Sequence, residues 1–149
     1  MKLEKEIMQK KFKNEFHKLG VNIIYTGNWI NLINMKYFKE FDLTLQQFNV
    51  LRILRGQFPN PATVNLLIER MLDKTSNASR IVDKLVLKKL VDRKICPNDR
   101  RAVDVIITKK GLNLLEEIDK HQKSWEENLM TLNTDEAKKV NELLDKLRG

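Results

Sequence analysis

Between positions 76 and 88 the chain reads Ser76-Asn77-Ala78-Ser79-Arg80-Ile81-Val82-Asp83-Lys84-Leu85-Val86-Leu87-Lys88. Short hydrogen-bonding side chains stand first, at Ser76, Asn77 and Ser79, and cations follow at Arg80, Lys84 and Lys88. On a helix the four-residue spacing places those three cations in one row. Small polar groups near the start of such a helix can approach base edges closely, and the helix N-terminus itself favours phosphate. The chemistry on offer is hydrogen bonding and charge neutralisation against a polyanion, with no bond made or broken. A surface helix whose cations rest in water is the plainer alternative.

Other reactive side chains give little. His17 and His121 stand apart, without the spacing that two ligands on one helix need, so no metal site is expected. Cys96 is the single cysteine, which excludes a disulfide framework and suits a small apolar filler better than a redox group. The acidic pairs Glu116-Glu117 and Glu126-Glu127 look like solvated helix faces, with nothing to separate their pKa values. No nucleophile elbow, phosphate-binding glycine loop or dinucleotide fingerprint occurs, so neither an enzyme nor a cofactor is expected.

The elements around the polar-basic stretch follow from hydrophobic period. Phe12, Phe16, Leu19, Ile23, Ile30, Ile33 and Tyr37 recur at helical spacing and predict a long first helix. A break near Asp42 precedes a second helix opened by Thr44, with Gln47 completing a capping box and Leu45, Phe48, Leu51 and Leu54 as its stripe. Pro59-Asn60-Pro61 ends it. A short third helix, capped by Asn60 or Thr63, turns Val64, Leu67, Ile68 and Met71 to a core. Asp73 is the expected cap of the fourth helix, whose inner face is Ala78, Ile81, Val82 and Leu85. The period then switches to two. Leu90 to Cys96 and Val103, Val105, Ile107 read as paired strands around a polar turn at Pro97-Asn98-Asp99-Arg100-Arg101. Thr108 caps a fifth helix carrying Leu112, Leu115, Ile118, Gln122, Trp125, Leu129 and Leu132, and Thr134 a sixth with Val140, Leu143, Leu144 and Leu147 on one face.

The chain has 149 residues and a net charge of +8, enough for one domain with a sizeable core. Residues 62–111 hold twelve basic and six acidic side chains, whereas 112–149 hold six and nine. The positive excess therefore surrounds the fourth helix and the hairpin, as a polyanion contact surface would require. No apolar run approaches 18 residues, and the charged N-terminus lacks the apolar core of a signal peptide, so a cytoplasmic location is expected.

Three helices followed by a hairpin form a winged helix-turn-helix order, and at this point a family resemblance enters. The stretch MLDKTSNASRIVDKLVLKKLVDRKICPNDRRAVDVIITKKG resembles the signature region of the MarR family of bacterial transcriptional regulators. Its marks are Ser79-Arg80 on the recognition helix, Leu90-Val91-Asp92-Arg93 opening the wing, Asp99-Arg100-Arg101 at the wing tip, and Ile107-Thr108-Lys109-Lys110-Gly111 leading into the next helix. Leu43 to Leu51 is similar to the family's second helix. One departure concerns Lys89, where the family usually has a glycine suited to a left-handed residue.

The resemblance implies a mainly α fold with a small two- to three-stranded β-wing. A winged helix-turn-helix lobe over 43–111 would join a helical dimerisation region over 1–40 and 112–149, all within a single domain of 1–149. The apolar faces of the first and last helices independently ask for more cover than a small lobe provides. A two-fold dimer would present two recognition helices about 34 Å apart to a pseudo-palindromic duplex. Ser76, Asn77, Ser79 and Arg80 are then the expected contacts to base edges and nearby phosphates, and Lys84 a phosphate contact. Arg101 is expected in the adjacent minor groove, Arg100 on phosphate or in solvent, and Asp99 in orienting the turn. Tyr25, Trp29 and Trp125 are candidate lining for the family's effector pocket. The partners implied are double-stranded DNA, a second copy of the chain and a small-molecule effector, and the activity that of a repressor. The reading from another class is a winged-helix adaptor that docks on a protein, which would need exposed apolar anchors on the fourth helix.

Overall fold

The computed structural model describes the backbone of residues 2–96 and 99–149, and the side chains of these except 95, 96, 99–102 and 122–125. Two compact units partition the chain, Met1–Leu45 and Gln46–Gly149. Within the first lie a short helix α1 (Leu3–Glu6) and a long helix α2 (Glu15–Lys39). Asn14 caps α2 by accepting from the His17 N–H at 2.8 Å, so Phe12 precedes the helix instead of opening its stripe. The reason is local: a side chain that takes up the first free N–H groups competes with continuing the helix backwards. His17 itself accepts from the Lys13 N–H through Nδ1 and lies edge-on to the Phe12 ring. The segment before α2 is tied to it by Lys18 to Glu4 at 2.6 Å and by the Tyr25 hydroxyl donating to Glu6 at 2.9 Å.

Helix α3 (Leu45–Gln57), all but its first residue in the second unit, leads to a two-residue strand β1 (Ala62–Thr63), then α4 (Val64–Arg70) and α5 (Ala78–Leu87). Strands β2 (Val91–Cys96) and β3 (Asp99–Ile107) follow, and helices α6 (Lys109–Glu126) and α7 (Thr134–Arg148) complete the chain. The sheet is antiparallel in the order β1-β3-β2, with Val91 opposite Ile107, Arg93 opposite Val105 and Ala62 opposite Val105 on its other edge. The third strand arises because Ala62 and Thr63 lie extended just before Thr63 caps α4, accepting from the Leu66 N–H at 3.2 Å.

The core of this unit is Val50, Leu51, Leu54, Leu67, Met71, Val82, Leu85, Val91, Val105 and Leu115, each nearly or fully excluded from water. Most of those positions are ones the helical and two-residue periods place inward, but α3 turns Val50 and Ile53 to the core and leaves Leu45 and Phe48 of its expected stripe half-buried. Ile68 departs from that pattern and remains 45% exposed, because α4 is under two turns long and buries only Leu67 along its length. Two caps also differ from expectation. Asn77, not Asp73, caps α5, and Asn133, not Thr134, caps α7 through a reciprocal box with Glu136. The expected stripe of α6 ends early as well: Leu129 and Leu132 lie beyond Glu126, in the turns before α7. The positions of Gln122 and Trp125 on that stripe lie outside the described side chains.

Candidate nucleic-acid interface

Helices α4 and α5 and the turn between them form a helix-turn-helix, and the turn is built by one carboxylate. Asp73 accepts from the Thr75 N–H at 2.9 Å, the Thr75 hydroxyl at 2.6 Å and the Ser76 hydroxyl at 2.7 Å. Hydrogen bonds from the Thr75 and then the Ser76 hydroxyl hold its pKa down to about 2, since each favours the charged form. Next to it the Leu72 N–H donates to the Asn49 side chain on α3 at 2.9 Å, and Lys74 donates to the Ile68 and Glu69 carbonyls at the end of α4. Lys-Thr-Ser-Asn is a run of residues that bond well to nearby backbone, which is why helix formation waits until Asn77.

Asn77 accepts from the Arg80 N–H at 3.0 Å and starts α5. The helix then buries Ala78, Val82 and Leu85, half-buries Ile81, and leaves Ser79, Arg80, Asp83 and Lys84 exposed. Three residue types thus separate cleanly by face. The structure gathers Asn77, Ser79, Arg80 and Lys84 at the outer, N-terminal part of α5. Ser76 sits one residue ahead of the cap, half-buried, with its hydroxyl committed to Asp73. Lys88 closes the helix as its C-cap and is half-buried, so the cation row does not extend to it as an exposed group. Asp99, Arg100 and Arg101 begin β3, but their side chains, like that of Cys96, lie outside the described residues.

Asp83 brings a negative charge onto this outer face, and Arg93 of β2 answers it. The guanidinium contacts the carboxylate at 2.5 Å, linking the first wing strand to the middle of α5. Among the described residues, Arg80 and Lys84 are then the charges of this face near the helix start that make no ion pair. Sequence alone gave no sign of this pairing, because the two residues belong to elements of different period.

Elsewhere, Tyr25 and Trp29 lie four residues apart on α2 and are both exposed. The Glu6 carboxylate accepting from Tyr25 raises the phenol pKa above its ordinary value. Among the described residues no group of three or more His, Cys, Asp or Glu could hold a metal ion. Among the described residues no helix is long and apolar enough to cross a membrane.

Comparison with known proteins fits this geometry. Residues 41–102, which run from just before α3 into β3, match the family model described as the MarR family. The chain is 29% identical over 113 residues to the HTH-type transcriptional regulator MhqR of Bacillus subtilis, covering 75% of this chain and 77% of that protein. A mutant MarR from E. coli complexed with operator DNA superposes with a TM-score of 0.78 at 27% identity, over 90% of either chain being covered (93% and 99%). A MarR transcription factor from Planctomyces limnophilus gives 0.71 at 27% identity, with 91% and 98% covered. Motif order, wing, capped recognition helix and these likenesses coincide: residues 41–102 carry the MarR-family match, and the fold is that of MarR-type winged-helix regulators.

Proposed function

We propose that the protein binds double-stranded DNA as a homodimer and represses transcription from a pseudo-palindromic operator. The observation that carries this reading is the face separation of α5. Ala78, Val82 and Leu85 are spent on the core of its own unit, and its cap, Ser79, Arg80 and Lys84 remain outward. An adaptor would instead need apolar anchors there, and Leu87 at the far end of α5 is the single large apolar side chain among its exposed residues. The similar E. coli protein was captured on operator DNA, which supports the same role here.

Dimerisation is supported by what the terminal helices fail to bury. α7 has no buried residue, and Val140, Leu143 and Leu147 are 42%, 55% and 57% exposed. Phe16, Ile24, Leu32 and Met35 are likewise exposed along α2. Uncovered apolar surface on two long helices is the usual mark of an interface. Domain roles follow: residues 43–111 read DNA, while 1–40 and 112–149 hold the two copies together. Ser76, whose hydroxyl serves the turn, contributes through backbone placement. Asn77, Ser79 and Arg80 contact base edges and nearby phosphate, Lys84 contacts phosphate, and Arg100 and Arg101 act from the wing tip with Asp99 shaping it. Tyr25 and Trp29 are the residues offered to a small-molecule effector, and the protein works in the cytoplasm.

A salt titration of duplex binding tests the assignment. Replacing Lys84 by Ala weakens all duplexes about equally and lowers the slope of log affinity against log salt by ~1. Changing Asn77 alters sequence preference at nearly constant slope. Binding that ignores salt concentration would sink the reading.

A further inference from the structure

The C-terminal end of the recognition helix is unusually well tied. Leu90 N–H donates to the Leu85 carbonyl at 3.0 Å and Lys89 N–H to the Val86 carbonyl at 2.8 Å, with Lys89 left-handed at φ 59°. This closes the helix in a Schellman motif and satisfies two of its last carbonyls. The carbonyls of Lys88, Lys89 and Leu90 follow, and each is taken by the segment that opens α6. Lys110 Nζ donates to Lys88 at 2.9 Å, the Thr108 hydroxyl to Lys89 at 2.9 Å, and the Thr108 N–H to Leu90 at 3.0 Å.

Thr108 is the pivot of this junction. While its hydroxyl hydrogen goes to Lys89, its oxygen accepts from the Gly111 N–H at 3.1 Å and so caps α6. One atom therefore serves the end of one helix and the start of another. Gly111 makes the close approach feasible: a Cβ there would stand 2.4 Å from the Leu90 carbonyl oxygen and 2.7 Å from an Ile107 side-chain carbon. Further along α6, Asp119 accepts from Arg52 at 3.2 Å and Arg55 at 2.6 Å on α3. Helix α6 is thus tied to the end of α5 through directional bonds and to α3 through an ion-pair fork.

We infer that Thr108 is a positioning residue for sequence recognition, its hydroxyl setting the angle at which α5 projects from α6. The inference rests on the DNA-binding role proposed above. Thr108 and its bonds lie at the C-terminal end of α5, away from Asn77, Ser79 and Arg80, so the hydroxyl acts through helix direction. A small tilt of α5 misplaces the short side chains that must meet base edges within hydrogen-bond range, whereas long cations still reach phosphate. Discrimination between duplexes therefore depends on this hydroxyl, and the electrostatic part of binding does not.

The test uses the full chain and a duplex selected by the wild type from a random library. Affinities for that duplex and for a scrambled one are measured across a salt series. Thr108→Val is expected to reduce the selected-to-scrambled ratio about 10-fold with the salt slope unchanged, and Thr108→Ser to keep the wild-type ratio. Lys110→Met and Lys110→Gln form a second pair of equal charge, of which only the glutamine can still donate to the Lys88 carbonyl. The methionine variant is expected to discriminate less than the glutamine variant. This second pair gives the answer even if Thr108→Val fails to fold. Equal ratios for Val and Ser at position 108, or for Met and Gln at 110, overturn the inference while leaving DNA binding intact. A wild type that neither selects a duplex nor responds to salt overturns both.

Discussion

Helices α5 and α7 are both amphipathic, yet they spend their apolar faces differently. α5 buries Ala78, Val82 and Leu85 within the second unit, while α7, half as long again, buries nothing. The contrast divides the molecule by sufficiency. A helix whose inner face is satisfied at home can offer its polar face to a ligand. One whose apolar face stays wet is a half-made core awaiting its complement. At about 25 cal/mol for each Å² of apolar surface removed from water, three such leucine or valine side chains are a substantial driving force for association.

The sharpest way to break that division is to charge the wet face. In a two-fold interface Leu143→Lys acts twice, and each buried leucine contributes about 1.5–3 kcal/mol. The dimer dissociation constant is expected to rise by about two orders of magnitude or more, read by sedimentation, while the helical circular dichroism of the lobe survives. An unchanged sedimentation profile would refute the role given to α7. The converse attack strikes the self-sufficient part. Gly111→Ala drives a methyl group into the Leu90 carbonyl and Ile107, and overpacking of this kind costs about 1–3 kcal/mol or more. Urea unfolding should show the loss in the cooperative transition of the second unit.

A smaller effect of opposite sign comes from Lys89→Gly. Relieving the left-handed lysine at φ 59° is expected to stabilise the chain by about 1 kcal/mol, with its carbonyl still held by Thr108. The smallest effect concerns acid. Asp73 has a folded pKa of about 2, below its ordinary 3.8, so its contribution is fully present above about pH 4 and fades as pH falls towards 2. Stability of the wild type relative to Asp73→Asn should therefore narrow through that window, and a constant difference would deny Asp73 its part in the turn.

What was legible in the sequence follows the same division. Periodicity found the inward residues of α5, β3 and the start of α6, and two of those of α3, Leu51 and Leu54, while Val50 and Ile53 lay off the expected stripe. The wing was visible from the switch of period after Leu90, and the left-handed Lys89 from the glycine that the family prefers there. The two misplaced caps show where local reading fails. Asp73 and Asn77 are equally good cap types four residues apart, and hydroxyls at Thr75 and Ser76 decide between them by recruiting Asp73 into the turn. At α7 the signal was present: Asn133 stands three residues before Glu136, the spacing of a reciprocal box, whereas Thr134 does not. Pairings such as Asp83 with Arg93 and Asp119 with Arg55 had no local signature, since only the folded chain brings those positions together.

The capping role of Asn77 limits what that side chain can say to a base. An amide read end-on has two messages, one given by its hydrogens and one by its oxygen. Here the oxygen already faces the Arg80 N–H, which also fixes which way the amide lies. What remains wholly unspent is the donor, since the oxygen keeps only one of its two lone pairs. It can address the N7 of a purine, the O6 of guanine or the O4 of thymine, but it is poorly placed for the two-bond grip by which asparagine singles out adenine. Helix stability and base discrimination thus draw on the same few atoms, and the first has already claimed its share.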